Sequence, residues 1–430
     1  MMSQPQNDRL IFNSNMRFLI VFSTACVLIW PTGLCLAEQL AMYNIGNSLT
    51  WDSVPLGVAA MAAEAGHTMD VGYHIKCSSP LNNIWTLPDS VCVTPTSFGK
   101  FTTALPGNVW DAVTLQIYPG QDSLGNPSTL TTDQQVIGDM ISLAMQAPMN
   151  ADAKYYIYTG WPGGTAGYQA KWDQTVPDDN STTTRGSRQY VDHLLGRIRG
   201  DRPTMADQLF VVDVGEVLYR LDQEMIAGNF PEPEPDPDPE TTAFDSVYDI
   251  YRDSIHLSWK IGRFTAGTVM YATIFQTNPT GVPEPSGFYD IYVDENVTDA
   301  MRLFIQNITW ETITANPTRT GVFAPGDLNG DGAVNISDVS PFILALTNPA
   351  AYDAAYPLVL EELAGDIDYS GALDLGDLRS FSAMFEPSAA TALSVPEPSV
   401  LFLTILAIIT LVVHGSFCRN RKAVSAHCSG

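Results

Sequence analysis

The sequence predicts an α/β fold in which helices pack on both faces of a parallel sheet. The 430-residue chain is long enough for two or three domains, and 45% of its residues are apolar, which is ample for a core. From residue 39 to about 275, strand-like and helix-like segments alternate, a pattern typical of a parallel sheet. The predicted strands are Leu40–Ile45, Met69–Ile75, Val113–Tyr118, Tyr155–Tyr158 and Leu209–Val214, and the predicted helices lie near 54–65, 133–147, 187–199 and 215–227.

The charge and cysteine content exclude several classes of protein. The chain has 47 acidic and 21 basic residues, a net charge of −26, so nucleic acid is not expected as a partner, because phosphate binding needs clustered Lys and Arg. The apolar content argues against global disorder. Six cysteines without a CxxC pair argue against a thiolate zinc site.

The first 37 residues have the pattern of a secretory signal peptide. An apolar run from Phe18 to Leu36 follows Arg17, and the small Ala37 precedes a polar segment. We expect cleavage near Ala37 and export of the chain, with a permanent N-terminal anchor as the alternative. Only Cys77 and Cys92 then remain in the exported body, where a disulfide between them fits an oxidising compartment.

A second targeting segment occupies residues 394–422. The apolar stretch Val400–Val413 is a marginal membrane span, and the basic cluster Arg419–Lys422 follows it. Directly before the span stands Pro396-Glu397-Pro398. The combination resembles the PEP-CTERM sorting signal of Gram-negative bacteria, which implies an exosortase-type sorting enzyme as a partner and a cell-surface or extracellular location. A plain tail anchor is the alternative.

Two 12-residue segments carry oxygen-bearing side chains at the spacing of a calcium loop. Hard cations need several oxygens from one short loop, at positions 1, 3, 5, 9 and 12, with glycine at position 6 for the sharp turn. A single match is also typical of an Asp/Asn/Gly-rich turn, whereas two copies favour two Ca²⁺ sites. The ligands predicted for the first site are Asp327, Asn329, Asp331, Asn335 and Asp338, and those for the second are Asp366, Asp368, Ser370, Asp374 and Asp377.

Each calcium loop is followed by a helical pattern, but Pro325-Gly326 leaves no room for a helix before the first one. A duplicated loop with only its exiting helix resembles a type I dockerin. The resemblance implies a small α-helical module at 325–388 that docks onto a cohesin domain. Positions 10 and 11 hold Ile336-Ser337 and Leu375-Gly376 instead of the polar pairs that commonly read the partner. We therefore expect calcium-driven folding ahead of a cohesin-like partner.

Two further motifs carry catalytic chemistry. In Gly46-Asn47-Ser48-Leu49, after the first strand, glycine allows a sharp turn that presents Ser48 at a helix N-terminus, where backbone N–H groups favour a developing oxyanion. A simple helix cap is the alternative. Farther on, Asp253 and His256 lie three residues apart before a helical stretch to Phe275. Histidine is the natural base for a serine, and a carboxylate orients it. The alternative is that Asp253 and His256 form only an ion pair or a helix cap.

Together these motifs resemble the SGNH (GDSL-like) hydrolase family over residues 40 to about 275, within a domain placed at 38–320. The resemblance implies a flavodoxin-like parallel sheet and an acyl-serine mechanism that needs no cofactor. Ser48 would be the nucleophile, His256 the base and Asp253 its orienting acid. The family contains esterases, lipases and carbohydrate deacetylases.

The oxyanion-binding positions depart from the family pattern. Cys77-Ser78-Ser79 follows the second strand where the family has a glycine, and Gln116 stands where an asparagine usually donates. The Gln116 amide can donate from its longer stem, or it points away as a strand residue. Trp161, after the fourth strand, either stacks on a sugar ring or packs. The alternating proline–acid segment within 229–242 is interpreted as a surface insertion.

The sequence thus predicts an exported serine esterase or deacetylase that acts on a small ester or an acylated carbohydrate and carries a calcium-binding module. The choice of glycans rests only on the association with the dockerin-like module. The missing glycine supports the alternative, a non-catalytic surface, adhesion or scaffold protein that keeps the fold.

Overall fold

A single sheet of five parallel strands forms the centre of the molecule. The computed structural model describes residues 38–118, 120–176, 186–232, 244–284, 298–368, 370 and 372–385. The strand order is β2-β1-β3-β4-β5, the flavodoxin-like order, so the predicted fold class is confirmed. The strands are β1 (Gln39–Gly46), β2 (Thr68–Ile75), β3 (Ala112–Gln116), β4 (Lys154–Tyr158) and β5 (Leu209–Val212).

All five predicted strands are present, and only two of them differ by as much as two residues at an end. The chain leaves the sheet after Val212 because the next helix begins at Val214, with Asp213 at its N-cap position. The predicted signal peptide at 1–37, the sorting segment at 394–422 and most of the proline–acid spacer lie outside the described residues.

The helices of the sheet domain lie in the connections between strands, from α1 to α7, or follow β5, from α8 to α11. They are α1 (Ser48–Asp52), α2 (Pro55–Glu64), α3 (Leu81–Thr86), α4 (Phe101–Gly107), α5 (Leu130–Ala144), α6 (Tyr168–Trp172), α7 (Arg188–Asp201), α8 (Val214–Ile226), α9 (Ile261–Phe275), α10 (Asp299–Thr314) and α11 (Pro317–Thr320). Short 3₁₀ turns lie at Pro148–Asn150, Pro203–Gln208 and Val247–Ile250.

Side chains of successive strand residues enter two different cores, one on each face of the sheet. In β4, Tyr156 and Tyr158 pack with α2, α8, α9 and α10, whereas Tyr155 and Ile157 pack with α4, α5 and α7. This is the period of two that a pleated strand imposes. Both faces are buried, so most strand residues are apolar, as expected for a parallel sheet covered on both sides, with Asn44, His74, Thr114 and Gln116 as buried polar exceptions.

A third, smaller core follows the sheet domain. It contains α12 (Val339–Thr347), α13 (Pro349–Ala355), α14 (Glu361–Gly365) and α15 (Asp377–Ala383), with a 3₁₀ turn at Ile336–Asp338. The connection is buried rather than exposed: Val322 packs in a core of the sheet and the next residue, Phe323, packs in the small core. Within the part of the chain described, no helix has the length and apolarity that crossing a membrane requires.

Candidate active site

Ser48 is the first residue of α1, immediately beyond the carboxyl end of β1. From β1, the chain adds β2 on one side of the sheet and β3, β4 and β5 on the other, so the order of strand addition reverses between β1 and β3. Ligands of such sheets bind beyond the carboxyl ends of the strands at this point. A side chain at Gly46 would place its Cβ 2.1 Å from Thr50 Oγ1. Only glycine therefore allows the chain to turn tightly enough to present Ser48.

Gln116, at the end of β3, holds this turn through its side-chain oxygen. Its Oε1 accepts hydrogen bonds from the backbone N–H of Asn47 (2.8 Å), the backbone N–H of Thr50 (3.2 Å) and the Thr50 hydroxyl (2.8 Å). The side chain is fully buried, and its Nε2 has no hydrogen-bond partner among the described residues. The observed contacts hold the turn that precedes Ser48, so the oxyanion role predicted for Gln116 stays a prediction.

Asp253 and His256 lie in a short loop closed by an antiparallel bridge between Tyr251 and Leu257. The Asp253 Oδ1 accepts the backbone N–H groups of Ile255 (2.9 Å) and His256 (2.8 Å). This Asx-type turn brings the two side chains together on one side of the loop.

The loop meets the Ser48 turn through His256. Its Nε2 lies 2.9 Å from Ser48 Oγ and its Nδ1 lies 2.8 Å from Asp253 Oδ2. Partial burial raises the pKa of Asp253, but hydrogen bonds from the His256 and Ile255 amides and from the imidazole outweigh it and bring the pKa to about 2. An ionised carboxylate can only accept, so in the neutral imidazole the proton is on Nδ1 and Nε2 accepts from Ser48.

The segment after β2, where the sequence lacks the expected glycine, has a conformation that favours glycine. Ser78 has a φ of 53°, in the left-handed region. A disulfide joins Cys77 to Cys92, with the Cα atoms 5.7 Å apart, and Asn47 Nδ2 donates to Ser79 O at 3.1 Å. The cross-link and the hydrogen bond hold the strained backbone beside the Ser48 turn.

Trp161 supports the histidine loop. The side chain is buried, and its indole N–H donates to Ile255 O at 2.7 Å. Burial removes its ring from contact with a ligand in this conformation, which favours the packing interpretation over stacking on a sugar.

Sequence reasoning missed Asp52 and its arginine partners. Asp52 is fully buried, although it lies only four residues after Ser48. Two separate features were the available signal: an acidic residue at the end of the short segment Ser48–Asp52, and an arginine, Arg252, next to Asp253. Distance along the chain hid the contact, because Asp52 and Arg252 are 200 residues apart.

The two predicted calcium loops form the same set of hydrogen bonds. In each, the carboxylate at position 1 accepts from the N–H of position 5, at 3.1 Å in the first loop and 2.8 Å in the second. The aspartate at position 12 accepts from position 3 (3.1 and 3.0 Å) and from position 9 (2.8 Å in both). The two copies therefore share one loop conformation at these positions.

The donor set of the loops fits a hard divalent cation. Burial raises the pKa of Asp327 to about 6, partly offset by the Gly332 amide and reinforced by the nearby carboxylates of Asp338 and Asp331. In the second loop, oxygens of Asp366, Asp368 and Asp377 lie within 4.8 Å of one another. Clustered carboxylates are the environment that a cation of charge +2 stabilises.

The helices that leave the loops pack through equivalent residues. Phe342 and Phe381 each lie 15 residues after the first aspartate of their loop, and their rings stack with centroids 4.3 Å apart and an interplanar angle of 10°. The two loop–helix units therefore share one core.

Comparisons with known proteins give similarities of fold. No protein-family model matches the chain, and no curated protein matches it. Among solved structures, the chain is similar to a DUF4886 family protein from Bacteroides uniformis, with a TM-score of 0.40 and 13% identity over 63% of this chain and 93% of that one. It is also similar to a carbohydrate acetylesterase from Sinorhizobium meliloti, with a TM-score of 0.30 and 13% identity over 55% of this chain and 97% of that one. At these values nothing about activity follows from either similarity.

Proposed function

We propose that this chain is a serine ester hydrolase in which Ser48 is the nucleophile, His256 the general base and Asp253 the residue that orients the imidazole. The observation that carries the proposal is the continuous line of hydrogen bonds from Ser48 Oγ through both ring nitrogens of His256 to Asp253, at 2.9 and 2.8 Å. A serine hydroxyl is a weak nucleophile until a base takes its proton, and this geometry supplies the base.

The reaction follows from these positions. Ser48 Oγ attacks the ester carbonyl carbon while His256 Nε2 takes the hydroxyl proton, and Asp253 stabilises the resulting imidazolium. The imidazolium returns the proton to the departing alcohol as the C–O bond breaks, which leaves an acyl-serine. A water molecule, deprotonated by the same Nε2, then attacks the acyl carbon and releases the acid and free Ser48.

The substrate class within this proposal is an acylated carbohydrate, and the acyl group is removed as a free acid. The side-chain exposure of 26% at His256 and 48% at Asp253 leaves the site open to solvent, which supports a substrate with a polar body. The resemblance of the C-terminal module to a dockerin is what favours glycans over other esters. We further propose that the protein is exported to the cell surface or beyond, where such substrates occur.

Hydrolysis of an aryl acetate by the full chain tests the activity, with Ser142→Ala as the matched control. Ser142 lies on the exposed side of α5, where its hydroxyl donates to Gly138 O and accepts from Arg202 Nη2 at 2.7 Å, and it forms no hydrogen bond to Ser48, Asp253 or His256. Loss of turnover in Ser48→Ala but not in Ser142→Ala supports the enzyme. A wild-type chain with no turnover at any pH would instead favour the non-catalytic surface protein. Release of acetate from an acetylated oligosaccharide then tests the substrate class.

We propose that the C-terminal module binds two calcium ions, one in each loop. The ligands of the first would be Asp327, Asn329, Asp331, Asn335 and Asp338, and those of the second Asp366, Asp368, Ser370, Asp374 and Asp377. The equal hydrogen-bond pattern of the two loops supports equal roles. Titration calorimetry on the full chain measures the stoichiometry, and absence of calcium uptake would remove this proposal. A cohesin-like partner and an exosortase-type sorting enzyme stay predictions.

A further inference from the structure

The helix that carries Ser48 ends in a buried carboxylate. Asp52 is the last residue of α1, and its side chain is fully buried. Burial raises the pKa of this carboxyl, opposed by the guanidinium groups of Arg252 and Arg263. An ionised group in such a place is costly unless it is paired, and the partners of Asp52 come from a distant part of the chain.

Every partner of Asp52 belongs to the segment that carries the histidine loop or directly follows it. Its Oδ1 lies 2.9 Å from Arg252 Nη1 and 3.2 Å from Arg263 Nε, and its Oδ2 accepts the backbone N–H of Leu257 at 3.1 Å. Arg252 precedes Asp253, and Leu257 follows His256. The carboxylate therefore holds both ends of the Asp253–His256 turn.

The arginines are themselves fixed. Arg252 donates its backbone N–H to His256 O at 3.0 Å and its guanidinium to Leu257 O. The indole of Trp259 lies against both guanidinium groups, with its ring centroid 4.2 Å from Arg252 Cζ and 4.3 Å from Arg263 Cζ. Their flat cations are stacked and hydrogen-bonded, so they act as rigid connections.

We propose that Asp52 is a positioning residue that locks the Asp253–His256 loop to the helix bearing Ser48. This inference rests on the proposed function. Ser48 and Asp52 share one rigid five-residue helix, and the two attachment points on Asp52 enclose the turn that carries the base. The distance from Ser48 Oγ to His256 Nε2 is consequently set by the Asp52 contacts, and a misplacement of about 1 Å at a catalytic pair can cost about 100-fold in rate.

The test compares Asp52→Asn with Asp213→Asn in the full chain. Asp213 is also a buried carboxylate paired with an arginine, since its Oδ2 lies 2.5 Å from Arg319 Nε, but it contacts neither the Ser48 helix nor the histidine loop. Both variants are expected to unfold at a lower temperature. Only Asp52→Asn is expected to lower kcat on an aryl acetate, by about 10- to 100-fold, with KM changed less than about threefold.

A second pair of variants guards against loss of folding. Arg252 is partly exposed, so its replacement is tolerated more easily than a change at Asp52. Arg252→Met leaves Asp52 paired with Arg263, and we expect a smaller fall in kcat than for Asp52→Asn. Arg252→Lys keeps the positive charge and should recover part of the lost kcat. Equal kcat in Asp52→Asn and wild type would overturn the proposal. If the wild type hydrolyses no ester, the proposed function fails instead, and crystal structures of the wild type and Asp52→Asn decide the positioning role: an unchanged Ser48–His256 distance rejects it.

Discussion

The candidate active site and the calcium loops assemble their chemistry in opposite ways. Ser48 and His256 are 208 residues apart and meet only because a five-stranded sheet and the Asp52 contacts bring two segments together. Each calcium loop needs only 12 consecutive residues, whose backbone amides orient the carboxylates. Under the proposed roles, a change in one side chain of the candidate triad therefore removes a unit that acts as a whole, whereas a loop loses one predicted ligand among several.

The largest effect is expected for Asp253→Asn. The amide cannot hold a protonated Nδ1 as a carboxylate does, so Nε2 no longer faces Ser48 as a base, and kcat should fall by about 10⁴-fold, as in other serine triads. Calcium uptake should be unchanged. The measurement is steady-state hydrolysis of an aryl acetate alongside titration calorimetry.

Ser254→Ala is the control for Asp253→Asn, because it alters an exposed neighbour on the same loop. A kcat for Asp253→Asn within tenfold of wild type would contradict the assignment of the orienting acid. A change in calcium affinity would show that the two regions are linked.

Removal of calcium is expected to act on the other region. A chelator should lower the stability of the C-terminal module by about 3 kcal/mol for each occupied site, relative to calcium at 100 times its Kd, while kcat changes less than about twofold. Differential scanning calorimetry and the ester assay measure the two quantities on one sample. Asp338→Asn and Asp377→Asn alter equivalent positions of the two loops and should each weaken calcium binding at one site.

A fall in kcat on chelation would contradict the independence of the candidate active site and the calcium loops. The structure indicates which contact would then couple the two regions. Gly332 of the first loop has a φ of 85° and lies so close to the end of α10 that an added Cβ would be 2.3 Å from Ala315 O. A loop that changes shape without its ion would press on the sheet domain there.

The same contrast explains how much could be predicted from the sequence. The strands are predicted correctly because buried apolar runs identify them locally, and the ten calcium-loop residues are predicted from their spacing, which is also a local property. Ser48, Asp253 and His256 were found through a resemblance in motif. Asp52 was not, because its role depends on Arg252 and Leu257, which only the folded sheet brings near.

Gln116 shows the limit within the site itself. The sequence offers Gln116 as an oxyanion donor or as a strand residue that points away, but residue type alone cannot tell which end of the amide is used. The structure directs Oε1 to the backbone of Asn47 and Thr50. Side-chain orientation is decided by packing that the sequence pattern does not contain.

A smaller effect is expected at Ser78, whose exposed side chain occupies a left-handed backbone position. Ser78→Gly relieves the strain but adds freedom to the unfolded chain, so the free energy of unfolding should change by less than about 1 kcal/mol. Ser78→Val places a β-branched side chain there and should destabilise by about 1 to 2 kcal/mol. Urea unfolding of both variants gives the values, and equal stability of the two would contradict the assigned conformation.

The smallest effect is expected for the ionisation of Asp253, which should not change between pH 7 and pH 4. This comparison with Asp327 separates the two regions most sharply. The folded-state pKa of about 2 lies below the ordinary value of 3.8, so the stabilisation from Asp253 is present above about pH 4 and is lost only as the pH falls through 2. Asp327 behaves oppositely: its pKa is raised to about 6, so its contribution to the stability of the calcium-free fold is complete below 3.8 and is lost as the pH rises through 6. With chelator present, carboxyl ¹³C NMR should therefore show Asp327 taking up a proton between pH 7 and pH 5 while Asp253 stays ionised. If Asp253 titrated in that interval, its hydrogen bonds to the His256 loop would be weaker than the structure indicates, and the orienting role would lose its physical basis.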